Sequence, residues 1–144
     1  MNLTEIQAAW ESDCKIDENN PGHSAATTPM LHSKYLNESI SAKLLLVKIQ
    51  NEIVKSRVTR GRYFRGEMTT QELNDKAWAQ WQYKTLKSDI SDMIEACDEV
   101  QTLITRESYL KQVIWSLDSI LGEIKARSFH TRVLMDWVKH RDGN

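Results

Sequence analysis

An all-α fold of long helices is what this sequence predicts, and three observations predict it. With 5 glycines and 2 prolines in 144 residues, the chain lacks the turn residues an all-β fold needs. Its apolar residues recur at helical spacings rather than in alternation. Helix-starting capping boxes occur at Asn2 with Glu5 and at Thr69 with Glu72.

Asn2 and Glu5 open a short helix with Leu3, Ile6, Ala9 and Trp10 along one face. From Asp17 to Pro29 the chain reads as loop, punctuated by Asn19, Asn20, Pro21, Gly22, Ser24 and Thr27. Thr28 and Pro29 supply a cap and a first-turn proline for a helix reaching the upper fifties. Its apolar face is expected to carry Leu36, Ile40, Leu44, Val47, Val54 and Val58, broadened by Leu45, Ile49 and Ile53. Gly61 and Gly66 bracket a loop. The next helix begins near Thr70 and places Trp78 and Trp81 on one side, as core, interface or base-stacking residues.

The last third is the most regular. Leu103, Leu110, Leu117 and Ile124 recur every seven residues, with Val113 and Ile120 three on and Ile114 and Leu121 four on. The stripe breaks over 127–131 and resumes at Leu134, Met135 and Val138. Continuous from 103 to 138, such a helix spans roughly 50 Å, against about 35–40 Å for a compact domain of this length. It must protrude, bend near Gly122 or Ser128, or pack against other copies. Leu110, Val113, Leu117, Ile120, Leu121 and Ile124 form an apolar face too wide for one narrow seam, so oligomerisation is assigned to them. The expected organisation is one helical domain over 1–144: a short helix plus loop (1–28), a basic helix-loop with an acidic helical segment (29–100), and an oligomerisation helix (101–144).

Charge is segregated along a chain whose formal net charge is only −1. Residues 34–65 hold eight cations against two acids, and residues 66–105 hold three against eight. The acidic block either pairs with the basic one or repels phosphate elsewhere. Lys55, Arg57, Arg60, Arg62 and Arg65 are interleaved with Tyr63 and Phe64, and Lys48 lies two helical turns before Lys55. Cations neutralise phosphates and rings stack on unpaired bases, the two parts of a single-stranded nucleic-acid site. The same composition also describes a solvated turn.

Other functions find little support. No glycine-rich phosphate cradle is followed by Lys-Ser/Thr. His23, His32, His130 and His140 lack metal-ligand spacing, and Cys14 with Cys97 matches no metal or redox motif. No catalytic residue, metal or cofactor is therefore expected, and the chain is read as no enzyme. The N-terminus shows no basic region followed by an apolar run, and no stretch approaches a membrane span, so neither signal peptide nor membrane is expected.

Two stretches carry a resemblance. His32-Ser33-Lys34-Tyr35-Leu36-Asn37 leads into a Lys/Leu-rich run, and Leu121-Gly122-Glu123-Ile124-Lys125-Ala126-Arg127-Ser128-Phe129 precedes a helical tail. In order and spacing both resemble the UvsY recombination mediators of T-even-like bacteriophages. The family's Lys-x-Arg DNA-binding motif has its counterpart in Lys55-Ser56-Arg57, and Arg60, Arg62 and Arg65 exceed the family pattern. The resemblance implies a non-enzymatic helical protein assembled as a ring of six or seven copies in the cytoplasm of the infected bacterial host. It implies binding to single-stranded DNA covered by single-strand-binding protein, and loading of a RecA-like recombinase. The competing reading is a structural coiled-coil or scaffold subunit whose basic loop makes protein contacts.

Overall fold

Six helices and no strand account for the described residues, 1–143, of the computed structural model. They are α1 (Leu3–Asp13), α2 (Pro21–Ala26), α3 (Thr28–Phe64), α4 (Thr70–Asp75), α5 (Lys87–Glu95) and α6 (Asp98–Arg141). The final position of the expected 101–144 segment lies outside the described residues. The chain divides into two compact units, Met1–Leu45 with Leu110–Asn144 and Leu46–Tyr109, so α3 and α6 each contribute to both. No helix among the described residues is long and apolar enough to cross a membrane.

In the first unit α1 starts as its sequence predicts. Asn2 Oδ1 accepts from the Glu5 amide at 2.9 Å and Glu5 Oε2 accepts from the Asn2 amide at 2.8 Å. Ile6 of α1, Tyr35 and Ala42 of α3, and Val113, Leu117, Ile120 and Ile124 of α6 form one core, with Ile6, Tyr35 and Leu117 fully enclosed. Trp10 packs edge-on against Tyr35 at 5.6 Å. The Tyr35 hydroxyl donates to Asp13 Oδ2 at 2.9 Å, and Lys34 Nζ donates to the same oxygen at 2.6 Å. Burial pushes the Asp13 carboxyl up, but these two hydrogen bonds and the charges of Lys34 and Arg127 outweigh it and hold the carboxyl below its ordinary value.

The heptad residues assigned to oligomerisation are thus placed differently. Leu110, Val113, Leu117, Ile120 and Ile124 are buried within the chain, and Leu121 is half-buried against the same core. The reason is that α1 and the first half of α3 supply the cover that the heptad pattern alone attributes to other copies.

α6 is unbroken at Gly122 and Ser128. The gap in its apolar stripe holds two buried polar residues, Arg127 and Thr131. The Arg127 guanidinium donates to the carbonyls of Cys14 at 3.3 Å, Lys15 at 3.1 Å and Ser24 at 3.5 Å. One buried cation thereby satisfies carbonyls of the segment joining α1 to α3. That segment, expected as loop, contains α2. Asn20 caps it by accepting from the His23 amide at 3.2 Å, and Pro21 takes the first helical position.

Of the face expected of α3 only Ile49 and Ile53 are buried; the rest of its enclosed side is a different one. Tyr35, Ser39, Ala42, Ile49, Ile53 and Ser56 are enclosed, whereas Leu36, Ile40, Leu44, Val47, Val54 and Val58 are exposed, Leu44 at 68%. Small residues on the enclosed side permit close helix packing, and Ser39 Oγ donates to Asp118 Oδ1 of α6 at 3.1 Å.

The second unit buries Ile49, Ile53, Phe64, Ile90 and Val100. The expected Gly61–Gly66 loop is instead the end of α3. A Cβ on Gly61 would lie 3.1 Å from Arg65 Nη1 and 3.4 Å from Ile94 Cδ1, so the glycine admits α5 against α3. Gly66, at φ +70°, closes the helix: the Glu67 amide donates to the Arg62 carbonyl at 2.9 Å and the Gly66 amide to Tyr63 at 3.1 Å. α4 begins at the Thr69–Glu72 capping box but ends at Asp75. Trp78 and Trp81 therefore lie on the irregular chain between α4 and α5, not on a helix.

Candidate nucleic-acid interface

The basic residues singled out in the sequence lie along the C-terminal half of α3, with Arg65 just past its end, all within the second unit. Lys48 and Lys55 are seven residues apart, hence on one side of the helix. Both are exposed, and among the described residues neither makes an ion pair.

The four arginines are engaged. Arg57 forks onto Glu95 of α5, with Nε to Oε1 at 2.7 Å and Nη2 to Oε2 at 3.1 Å. The Glu95 hydrogen bond raises the Arg57 pKa further, so this cation is permanent. Arg65 forks onto Glu67 at 3.0 and 3.3 Å. Arg62 contacts both Glu72 oxygens at 3.1 and 3.2 Å, and Thr69 together with Arg62 holds the Glu72 carboxyl below its usual value. Arg60 lies 3.5 Å from Glu99, with its guanidinium carbon 3.8 Å from the Trp78 ring centroid. Its Nε is buried without a hydrogen-bond partner among the described residues. The acidic block pairs with the basic block, one of the two options the charge pattern left open.

These pairs differ in what they leave available. The Arg57, Arg62 and Arg65 pairs are roughly 40% exposed on their cationic side, and such pairs contribute only about 0–1 kcal/mol each. A phosphate can exchange with a carboxylate there at small cost. Arg60, stacked on Trp78 and only 20% exposed, acts as packing.

The aromatic residues read from the sequence also pack inward. Phe64 is buried and meets Trp81 edge-on at 5.0 Å. Tyr63 donates its hydroxyl to the Ala79 carbonyl at 2.6 Å and contacts Trp78 at 5.1 Å. The open ring is one the sequence reading passed over: Tyr83, 73% exposed and 5.1 Å from Trp81. The signal was the spacing Trp81-Gln82-Tyr83, which places two rings on the same side of an extended chain.

Two neighbouring clefts border this surface. One, of about 420 Å3, is lined by Arg57, Arg65, Lys87, Ile90, Ser91, Ile94 and Glu95. The other, of about 560 Å3, shares Arg65, Lys87 and Ile90 with it and extends to Phe64, Trp81, Tyr83 and Lys84.

Comparison with known proteins gives a consistent result. The recombination protein uvsY of Enterobacteria phage T4 is 24% identical over 136 residues, covering 94% of each chain. Crystal structures of the bacteriophage T4 recombination mediator protein UvsY share the fold. One has a TM-score of 0.82 at 23% identity, over 99% of this chain and 98% of that one. Another crystal form has a TM-score of 0.81 at 23% identity, over 95% and 98%. The family described as recombination, repair and ssDNA binding protein UvsY matches residues 9–144, and this chain belongs to that family.

Proposed function

We propose that this protein is a non-enzymatic recombination mediator acting in the infected bacterial cell. It holds single-stranded DNA on the cationic end of α3 and assists a RecA-like recombinase in forming on DNA covered by single-strand-binding protein. The observation that carries the reading is the position of Lys55-Ser56-Arg57: both cations are exposed on α3, with Lys48 before them and Arg65 beyond. Lys48 and Lys55 offer unpaired charge, and Arg57 and Arg65 exchange exposed carboxylates for phosphates.

A ring of six or seven copies belongs to the same proposal. The exposed residues of α3, Leu36, Ile40 and Leu44 in the first unit and Val47, Val54 and Val58 in the second, are the apolar surface that other copies cover. Several weak phosphate sites held together bind one strand by avidity. The runner-up, a scaffold subunit, draws on the carboxylates already bound to the arginines. Native mass determination with and without oligo(dT) separates the two. The mediator forms a multimer that takes up the oligonucleotide and releases it as salt rises; a multimer indifferent to DNA is the scaffold, and a monomer at micromolar concentration contradicts both. Leu44→Glu is expected to yield smaller species with unchanged helical content.

A further inference from the structure

Beyond the phosphate contacts, the second unit holds a cleft that neither the family motif nor the basic helix accounts for. It measures about 560 Å3, within the size range of small-ligand sites. Trp81 and Tyr83 line it, with Phe64 packed against Trp81. Arg65, Lys84 and Lys87 also line it, and no carboxylate does. That charge is selective, because Leu46–Tyr109 as a whole carries ten cations and ten acids.

We propose that this cleft is a base-binding subsite, taking one unstacked nucleotide of single-stranded DNA, its base against Trp81 and Tyr83 and its phosphates on Lys84 and Lys87. The proposal rests on the DNA-binding reading above and adds a path to it. The neighbouring cleft at Arg57 shares Arg65 and Lys87 with this one, so a strand leaving Lys55 and Arg57 crosses those two cations before reaching the rings.

The geometry suits a base. Trp81 is fixed on two sides, by Phe64 at 5.0 Å and by its Nε1–H donating to Thr85 Oγ1 at 3.0 Å. Tyr83 meets it at 64°, with most of its ring in solvent. One ring is preorganised and the other is free to close, at little conformational cost for the pair. Lys84 and Lys87 are exposed and, among the described residues, engage no carboxylate. They are three residues apart, within reach of successive phosphates.

The test compares the full-length protein with Tyr83→Ala on two probes of equal length: oligo(dT) and an oligonucleotide of abasic sites, which keeps every phosphate. Wild type is expected to prefer oligo(dT), and Tyr83→Ala to lose about five- to hundredfold in oligo(dT) affinity with its abasic affinity unchanged. Lys84→Ala with Lys87→Ala should instead weaken both probes and lower the salt slope by about 1.4. Equal oligo(dT) affinity in wild type and Tyr83→Ala overturns the subsite and leaves the mediator reading standing. Failure of wild type to bind either probe overturns both. A Tyr83→Ala protein that sediments as smaller species and loses both probes equally also overturns the subsite, because it makes Tyr83 an assembly residue.

Discussion

Each unit contains one arginine withdrawn from solvent, and the two are treated differently. In the first, Arg127 is 5% exposed and its three donors reach three backbone carbonyls, within a core where Ile6, Tyr35 and Leu117 are fully enclosed. In the second, Arg60 is sandwiched between Trp78 and Glu99 with its Nε unsatisfied among the described residues. Among the described residues the second unit buries five hydrophobic residues, Ile49, Ile53, Phe64, Ile90 and Val100, against eight in the first, and exposed arginine–carboxylate pairs accompany them. The first unit is stabilised chiefly by burial, which is not screened by salt as exposed ion pairs are. The second holds its arginines in exposed carboxylate pairs, which are weak as a source of stability and which the proposed function uses for reversible phosphate binding.

The largest test of that contrast is Leu117→Ala. A fully buried leucine truncated in a packed core costs about 2–5 kcal/mol. Denaturant unfolding should show this loss. A destabilisation below about 1 kcal/mol would mean that the core is less closed than the enclosure of Leu117 indicates.

Backbone strain in the second unit offers a smaller effect of opposite sign. Ala77 adopts φ 54° where α4 ends, and the Trp78 amide reaches back to the Leu73 carbonyl at 2.9 Å. That left-handed turn brings Trp78 to Arg60, and glycine adopts it without the Cβ penalty. Ala77→Gly is expected to stabilise by about 1 kcal/mol, read as a raised melting temperature.

Glu95→Gln sharpens the comparison from the charged side. The Arg57–Glu95 pair is exposed, so its loss should change stability by less than about 1 kcal/mol. Because the carboxylate competes with phosphate for Arg57, oligo(dT) affinity should rise about two- to fivefold. Weaker binding in titrations at fixed salt would show that Glu95 positions Arg57 rather than competing for it.

A pH effect belongs to the first unit. The Asp13 carboxyl is held below its ordinary value of 3.8 in the folded protein, so its contribution is fully present above that value. It is lost as pH falls through the lower folded value. Asp13→Asn should therefore flatten the acid limb of the stability profile.

How much of this was legible in the sequence depends on how local each cause is. Both capping boxes were readable because a cap and its partner are three residues apart. The heptad of α6 was readable as a buried stripe, but nothing in a periodic pattern says whether the cover comes from the same chain. α3 defeated the reading because it is apolar on two sides. Its exposed side carries the larger aliphatic residues, while Ser39, Ala42 and Ser56 occupy the enclosed one. α2 lacks a readable period because it has only six residues, although Asn20-Pro21 is the cap-proline pattern read at Thr28-Pro29; there Thr28 is instead the first residue of α3, and its hydroxyl donates to the Ser24 carbonyl at 3.2 Å. In the candidate interface the cations themselves were visible. Their engagement was not, since Arg57 and Glu95 are 38 residues apart and meet only through the fold.

The central claim is that the cations of the Lys55-Ser56-Arg57 turn bind single-stranded DNA phosphates despite the carboxylates around them. Oligo(dT) affinity of wild type and of Lys55→Ala with Arg57→Ala, measured across a salt series, tests it most directly. The account predicts weaker binding, a log–log salt slope lower by about 1.4, and unchanged helical content. Equal affinity and equal slope in the two proteins would contradict it.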